Sequence, residues 1–196
     1  MKFNTKLQFF IRHIKSTIFF GLSALLLVST LSCASSSSLY NKETTKVTIN
    51  SKSDSSVNGV IQITEKAPGL LTFNVDVDGL TPNSTHGIHI HEKGDCSAPD
   101  AKSAGGHYNP ANKDHGGPKK INSHAGDLGN LKANSKGQAK TTFVQAGLAL
   151  NHQTNSKSIY SINGRALIIH ENRDDLTTNP SGAAGKRIAC GVITSN

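Results

Sequence analysis

The sequence predicts an all-β protein, a Greek-key β-barrel or sandwich of about eight antiparallel strands with two long functional loops. Short segments rich in β-branched and aromatic residues recur along the chain, and Gly, Pro, Asn and Asp cluster between them. No long stretch repeats its apolar residues at the 3.6-residue period of a helix. Many short strands without helices are typical of this fold class.

The strands can be placed in chain order. Residues 71–78 (LTFNVDVD) alternate apolar and polar side chains, which indicates a strand with one wet face. The other predicted strands are 60–64, the segment around His89, 139–144, 159–162, 166–169 and a last strand around Cys190. Residues 92–131 and 171–186 have no strand pattern. Loops of this length in compact domains are usually functional.

The N-terminus has the composition of a secretory signal. Its first seventeen residues carry Lys2, Lys6, Arg12 and Lys15 and no acidic residue, and a mainly apolar run follows over 18–31. That run is shorter than the about 20 residues of a membrane-spanning helix. We therefore predict a signal peptide over 1–32, a flexible tether over 33–46 and the folded domain over 47–196.

The site of cleavage, near residues 32–34, has two interpretations. Small residues at Ser32 and Ala34 permit cleavage after Ala34. The segment 31–33 also resembles an imperfect bacterial lipobox, in which Cys33 becomes the lipidated first residue and tethers the protein to a membrane. Both alternatives stay open.

The positive charge belongs partly to the signal. The chain has a formal charge of +8, and removal of residues 1–32 takes away four positive charges and no negative ones, which leaves about +4. No run of Arg and Lys is interleaved with aromatic residues. Nucleic acid is therefore not a predicted partner.

Two histidines share one face of a predicted strand. In His89-Ile90-His91 the side-chain period is two, so both imidazoles leave the same face, about 6.5–7 Å apart at the backbone. Ile88 and Ile90 point the other way, toward a core. Neutral imidazoles bind copper and zinc well. Taken alone, such a pair is equally compatible with an exposed polar face.

Five further blocks contain ligand-type residues. They are GGHYNP at 105–110, HGGP at 115–118, HAGDLG at 124–129, GRALIIHE at 164–171 and GKRIACGVI at 185–193. Together with GIHIHE at 87–92, they resemble the signature motifs of the copper/zinc superoxide dismutases, over a region from about residue 47 to the C-terminus. The resemblance implies an oxidoreductase with superoxide as substrate. It implies one copper and one zinc per chain, with dismutation by alternate reduction and oxidation of copper.

The resemblance also assigns the ligands. Those implied for copper are His89, His91, His107 and His170. Those implied for zinc are His107, His115, His124 and Asp127. His107 is shared, and three nitrogens with one carboxylate oxygen make a closed zinc site of structural type. The remaining histidines, His13, His86 and His152, are not assigned to metal.

Two more residues receive roles from the resemblance. Asp174 corresponds to an aspartate that hydrogen-bonds one histidine of each metal, here His89 and His115, although an exposed loop acid next to Asp175 is the alternative interpretation. Arg187 corresponds to the arginine that attracts the anion, with Lys186 nearby. Arg187 and His107 are thus the implied catalytic residues.

The cysteines and the loop lengths indicate an exported bacterial protein. With Cys33 removed or lipidated, Cys96 and Cys190 remain as an even pair, and we predict a disulfide between them. The short segment from His91 to Cys96 resembles the bacterial periplasmic members of the family. The expected location is the periplasm, with a possible lipid anchor, and both a monomer and a bacterial-type homodimer stay open. The alternative function is a copper- and zinc-binding module without activity.

Overall fold

The computed structural model describes residues 42–118, 120–151 and 159–195. The predicted signal peptide, Cys33, His13, His152 and the first part of the predicted tether lie outside these ranges. The described strands are β1 (Glu43–Ser51), β2 (Asn58–Ala67), β3 (Leu70–Asp78), β4 (Thr85–His91), β5 (Asp127–Lys132), β6 (Ala139–Ala146), β7 (Leu148–Ala149), β8 (Tyr160–Ser161), β9 (Ala166–His170) and β10 (Arg187–Val192). A 3-10 helix spans Lys102–Ala104.

Eight strands form one antiparallel sheet in the order β5-β4-β9-β10-β1-β2-β3-β6. The sheet curls until its end strands, β5 and β6, approach each other and nearly close a barrel. The connections from β3 to β4 and from β6 to β9 join strands that are not neighbours, as in a Greek key. The separate pair β7 and β8 is parallel. The predicted fold class is confirmed.

The barrel interior is an apolar core built by alternation along the strands. The alternation predicted over 71–78 is confirmed in β3, whose inward side chains are Leu71, Phe73, Val75 and Val77. Phe73 stacks on Phe143 of β6 with ring centroids 5.0 Å apart. Burial of such side chains, worth about 25 cal/mol per Å² of apolar surface, is the main term that holds the barrel together.

The wall formed by β4, β9 and β10 is buried on both faces. One face packs into the core through Ile88 and Ile90, which are fully buried. The other face carries His89 and His91 and is covered by the long loops. Because the loops cover this outer face of the barrel, the polar side chains on it are shielded from solvent.

Three described strands are not among those predicted, namely β1, β5 and the two-residue β7. β1 begins at Glu43, so residues 43–46, which the sequence placed in the tether, pair with β2 instead. β5 lies inside the loop predicted over 92–131. Its sequence, DLGNLK, lacks the alternation of a half-exposed strand, and pairing with β4 makes it extended.

No helix in the described ranges has the length and hydrophobicity to cross a membrane.

Candidate metal centre

Two buried clusters of ligand-type side chains lie against the outer face of the β4 and β9 wall. The first comprises His89, His91, His107 and His170. The second comprises His107, His115, His124 and Asp127. Within each cluster, one potential ligand atom per residue lies within 4.8 Å of all the others. These are the two sets that the sequence analysis assigned to copper and zinc, and His107 belongs to both.

Strand pairing brings the first cluster together. β4 places His89 and His91 on one face, with ring centroids 6.4 Å apart. β9 pairs with β4 and ends at His170, whose ring lies 4.8 Å from that of His89. His107 forms an isolated antiparallel bridge with His91, which brings the loop after β4 back over the wall.

Hydrogen bonds set the tautomers of these rings. Nδ1 of His91 donates to the carbonyl of Gly105 at 3.0 Å, and Nδ1 of His170 donates to the carbonyl of Gly185 at 3.3 Å. A neutral imidazole carries one N–H, so the other nitrogen of each ring keeps a lone pair. The free nitrogen is therefore Nε2 in both histidines.

The free nitrogens of the first cluster have no hydrogen-bond partner among the described residues although they are buried. They are Nδ1 of His89 and Nε2 of His91, His107 and His170. A buried lone pair without a partner is costly and therefore uncommon in folded proteins. Four of them converging on one point indicate a place for a cation.

Three nitrogens in the second cluster face a single carboxylate oxygen. Oδ1 of Asp127 lies 3.0 Å from Nδ1 of His107, 3.1 Å from Nδ1 of His115 and 3.2 Å from Nδ1 of His124. A tetrahedral zinc with bonds of about 2.0 Å spaces its ligand atoms about 3.3 Å apart. The observed spacing fits that geometry closely.

The carboxylate of Asp127 is held in place by the backbone. Its Oδ2 accepts hydrogen bonds from the N–H groups of Gly116 and His124, both at 3.0 Å. Burial raises the pKa of Asp127, but the hydrogen bonds from His107 and Gly116 outweigh it and keep the pKa below its usual value. The group is therefore ionised and turns Oδ1 toward the three imidazoles.

Asp174 links the two clusters. Its Oδ2 accepts from Nε2 of His89 at 2.8 Å, and its Oδ1 accepts from Nε2 of His115 at 2.9 Å. These are the two hydrogen bonds that the sequence analysis assigned to it, and the side chain is fully buried. The neighbouring Asp175 is exposed and caps the turn at Thr177 and Thr178. Asp174 therefore fixes the tautomer of one ring in each cluster.

Burial keeps the first cluster neutral. It lowers the pKa of His170 to about 4, and it lowers the pKa values of His89 and His91 well below the usual 6.5, with the neighbouring His107 adding to the effect. At neutral pH these rings therefore present lone pairs rather than positive charge.

Arg187 lies at the edge of the first cluster. It pairs with His170 across β9 and β10, next to a bulge between Arg187 and Ala189. Its Nη1 donates to the carbonyl of Ala101 at 2.8 Å and its Nη2 to the carbonyl of Gly105 at 2.7 Å. The half-buried guanidinium borders a surface depression of about 530 Å³ that Lys102 and Lys186 also line.

The predicted disulfide is confirmed. Cys96 and Cys190 are bonded, with Cα atoms 5.9 Å apart, and 94 positions separate them in sequence. The bridge covers a small apolar cluster comprising Ala101, Ala104, Ala166 and Ile168. It thereby attaches the loop that contacts Arg187 to β10, the strand that carries Arg187.

A family model described as copper/zinc superoxide dismutase matches residues 57–193, well over half of the sequence. The chain belongs to the copper/zinc superoxide dismutase family.

Several known proteins, one of them with a solved structure, are similar to this chain. The superoxide dismutase-like protein YojM of Bacillus subtilis is 41% identical over 144 residues, which are 70% of each chain. A Cu-Zn superoxide dismutase 2 of Aquifex aeolicus is 39% identical over 135 residues, 69% of this chain and 78% of the relative. A crystal structure of a double mutant of a SOD-like protein from Bacillus subtilis matches with a TM-score of 0.66 at 39% identity, over 76% of this chain and 96% of that one.

Superoxide dismutases of this family use copper and zinc, and the two clusters fit that pair. Four imidazole nitrogens suit copper, whereas three imidazole nitrogens with one carboxylate oxygen suit zinc. The partnerless nitrogens of the first cluster and the tetrahedral spacing of the second are the observations of this chain that support the fit.

The remaining described histidine, His86, belongs to neither cluster. His86 is buried, and its Nδ1 lies 2.9 Å from the carbonyl oxygen of His170 while its Nε2 lies 2.6 Å from Oγ of Ser84. Both of its ring nitrogens are therefore engaged elsewhere. It supports the backbone at the end of β9.

Two residues that hold Asp174 in place are not predicted from the sequence. Nδ2 of Asn130 donates to the carbonyl of Asp174, and Oδ1 of Asn130 accepts from the Asp174 N–H at 2.8 Å. Gly182 leaves the space that Asp174 occupies, because a Cβ there would overlap Oδ1 of Asp174. A single sequence carries no signal for either contact, since both depend on how the loops fold back.

Proposed function

We propose that this chain dismutes superoxide to dioxygen and hydrogen peroxide, and that it does so in the bacterial cell envelope after export. The observation that carries the chemistry is the convergence of four partnerless imidazole nitrogens beside Arg187. Copper bound by His89, His91, His107 and His170 would supply the one-electron chemistry, taking an electron from one superoxide and returning it to the next.

Protons must reach the reduced substrate, because hydrogen peroxide forms from superoxide only with one electron and two protons. His107 is placed for this role. Its Nδ1 faces Asp127 at 3.0 Å, and its Nε2 faces the first cluster without a partner. This Nε2 can either bind copper or carry a proton, so the ring would pass a proton to the substrate only while Nε2 is not a copper ligand, and water would supply the second proton.

Substrate capture falls to Arg187. Its guanidinium keeps its charge at every relevant pH, lies at the strand position that pairs with His170, and borders an open depression on the surface. A small anion that enters from solvent is drawn toward this charge, and Lys186 adds to the attraction, whereas Lys102 is paired with Asp100. The zinc ligands, by contrast, serve to fix the orientation of His107.

The proposal is tested by metal analysis together with a dismutation assay. The purified mature protein should contain one copper and one zinc per chain and should consume superoxide faster than free copper does. His91→Ala or His170→Ala should abolish the activity while zinc content stays near one. Fully loaded protein without activity would instead favour a copper- and zinc-binding module that is not an enzyme.

Export and anchoring rest on the N-terminal sequence and need a separate test. Fractionation of cells should place the protein in the envelope, and the Cys33→Ser variant tells the two processing routes apart. If Cys33 is lipidated, the variant should move from the membrane fraction to the soluble periplasmic fraction with its activity intact. An unchanged soluble distribution of both proteins would favour cleavage after Ala34.

A further inference from the structure

A single peptide unit, between Gly105 and Gly106, holds two functional side chains at one end and a carboxylate at the other. Its carbonyl oxygen accepts from Nδ1 of His91 at 3.0 Å and from Nη2 of Arg187 at 2.7 Å. Its N–H group donates to Oε1 of Glu92 at 3.1 Å. The metal-site tautomer of His91 and the position of Arg187 therefore depend on which way this one peptide faces.

Packing alone does not hold this peptide. Gly105 adopts φ 75° and ψ −155°, a conformation that is open essentially to glycine only. Gly106 is exposed, and a Cβ added there would meet nothing within 4 Å. A peptide between two glycines can rotate at low steric cost, and rotation would turn its carbonyl away from both donors. Hydrogen bonds must therefore fix its orientation.

Glu92 is positioned to fix the orientation of this peptide through hydrogen bonds. Its backbone N–H donates to the carbonyl of Gly106 at 3.0 Å, so the residue binds the loop through backbone and side chain together. A Cβ at Gly105 would overlap the carboxylate, which means that Glu92 occupies the space the glycine leaves. A hydrogen bond from an N–H to an ionised carboxylate is stronger than one between neutral groups. It also polarises the peptide and strengthens its carbonyl as an acceptor.

We propose that Glu92 is a positioning residue, which holds the Gly105–Gly106 peptide in the orientation that His91 and Arg187 require. Its influence on the rate rests on the proposed dismutase function. Its effect on the orientation of the peptide does not depend on that function, so the role of Glu92 and the dismutase function can be tested separately.

The carboxylate also has an opposing effect, because a negative charge near the anion path weakens capture of superoxide. The variants Glu92→Gln and Glu92→Ala distinguish the two effects. Gln keeps an acceptor oxygen for the Gly106 N–H and removes the charge, whereas Ala removes both. A charge-matched control is Asp54→Asn, which removes a carboxylate that lines the depression beside Arg187 and makes no hydrogen bond to this peptide in the described structure.

The first measurement is amide hydrogen exchange at Gly106 in the metal-free proteins. Loss of a charge-assisted hydrogen bond should speed exchange about tenfold in Glu92→Ala. Glu92→Gln should stay within about threefold of the wild type, and Asp54→Asn should match the wild type. Unchanged exchange in Glu92→Ala, with folding verified by thermal unfolding, would overturn the proposal.

The second measurement uses fully metallated protein and compares the copper(II) electron paramagnetic resonance spectrum with the dismutation rate. Glu92→Ala should alter the spectrum and lower the rate about fivefold or more, whereas Glu92→Gln should keep the spectrum and at least the wild-type rate at low salt. A Glu92→Ala protein with wild-type spectrum and rate contradicts the proposal. If loaded wild-type protein has no activity, the dismutase function fails, while exchange at Gly106 and the spectrum still decide the role of Glu92.

Discussion

Nδ1 of His115 lies 3.1 Å from Oδ1 of Asp127, and neither atom has a proton to share when the ring is neutral. The proton of that ring is on Nε2, which donates to Asp174. With the ring neutral, two lone pairs face each other inside the protein, which is unfavourable unless a cation lies between them. The relationship explains why this region is expected to need zinc for its stability.

Removal of the Asp127 carboxylate should chiefly weaken zinc binding. We expect Asp127→Ala to lose more than about tenfold in zinc affinity and several degrees in the temperature of unfolding, because a zinc ligand and the acceptor of two backbone N–H groups disappear together. Competition with a chelator and calorimetry measure the two quantities. Asp76→Ala, which breaks an exposed ion pair with Lys140, is a control that should change little. Unchanged zinc affinity would mean that the ligand assignment is wrong.

Asp174 should affect both metals at once, because it orients one ring in each cluster. Loss of a carboxylate that holds a ligand histidine typically costs 10–100-fold in metal affinity. We therefore expect Asp174→Asn to weaken copper and zinc binding together by about that factor, in titrations of each metal. Asp175→Asn is the matched control, since that neighbour is exposed and contacts neither cluster. An effect on one metal alone would contradict the linking role.

Strands β4 and β5 illustrate how far the fold and the site follow from the sequence. In β4 the alternation of His89 and His91 with Ile88 and Ile90 is local, so the strand, its buried face and its polar face can all be predicted. β5 has a mixed sequence and becomes a strand only because β4 offers a partner. Its residue Asn130, which fixes the backbone of Asp174, could not be predicted for the same reason.

The loop around Glu92 shows more clearly which features of the site cannot be predicted from the sequence. The family resemblance assigns His91, His107 and Arg187, since those residues lie in recognisable motifs. The orientation of the peptide between Gly105 and Gly106 depends on a left-handed conformation and on hydrogen bonds from two distant segments of the chain, His91–Glu92 and Arg187. Contacts of that kind are set by tertiary structure and leave no pattern in a single sequence.

The free energy of unfolding of the metal-free protein should decrease as the pH is lowered from about 6.5 to about 4. Burial lowers the pKa of His170 to about 4 in the folded state, and it lowers the pKa values of His89 and His91 as well, whereas histidines of the unfolded chain keep a pKa near 6.5. In this interval the unfolded state binds more protons, so acid favours unfolding. Denaturant titrations of metal-free protein between pH 7.5 and pH 4 measure the effect. A free energy of unfolding that stays constant down to pH 4.5 would contradict it.

The charge of Arg187 should control the rate of substrate capture. Arg187→Ala should lower the rate with superoxide about tenfold at full metal content, and Arg187→Glu should lower it further, because repulsion replaces attraction beside the copper site. Arg187→Lys should fall between the wild type and Arg187→Ala, since it keeps the charge but loses the planar fork that binds the carbonyls of Ala101 and Gly105. Rates from stopped-flow or pulse radiolysis provide the comparison.

Two further measurements distinguish substrate capture by Arg187 from an effect of the protein's net charge. They are the salt dependence of the rate and a charge reversal far from Arg187. The wild-type rate should fall as ionic strength rises past about 0.1 M, where the screening length is about 10 Å, and the Arg187→Ala rate should fall less. Lys140→Glu changes the net charge by the same amount as Arg187→Glu but lies in β6, which has no ligand in either cluster. Its rate should stay within about twofold of the wild type. If fully metallated Arg187→Glu matched the wild type at low salt, charge at this position would have no bearing on capture.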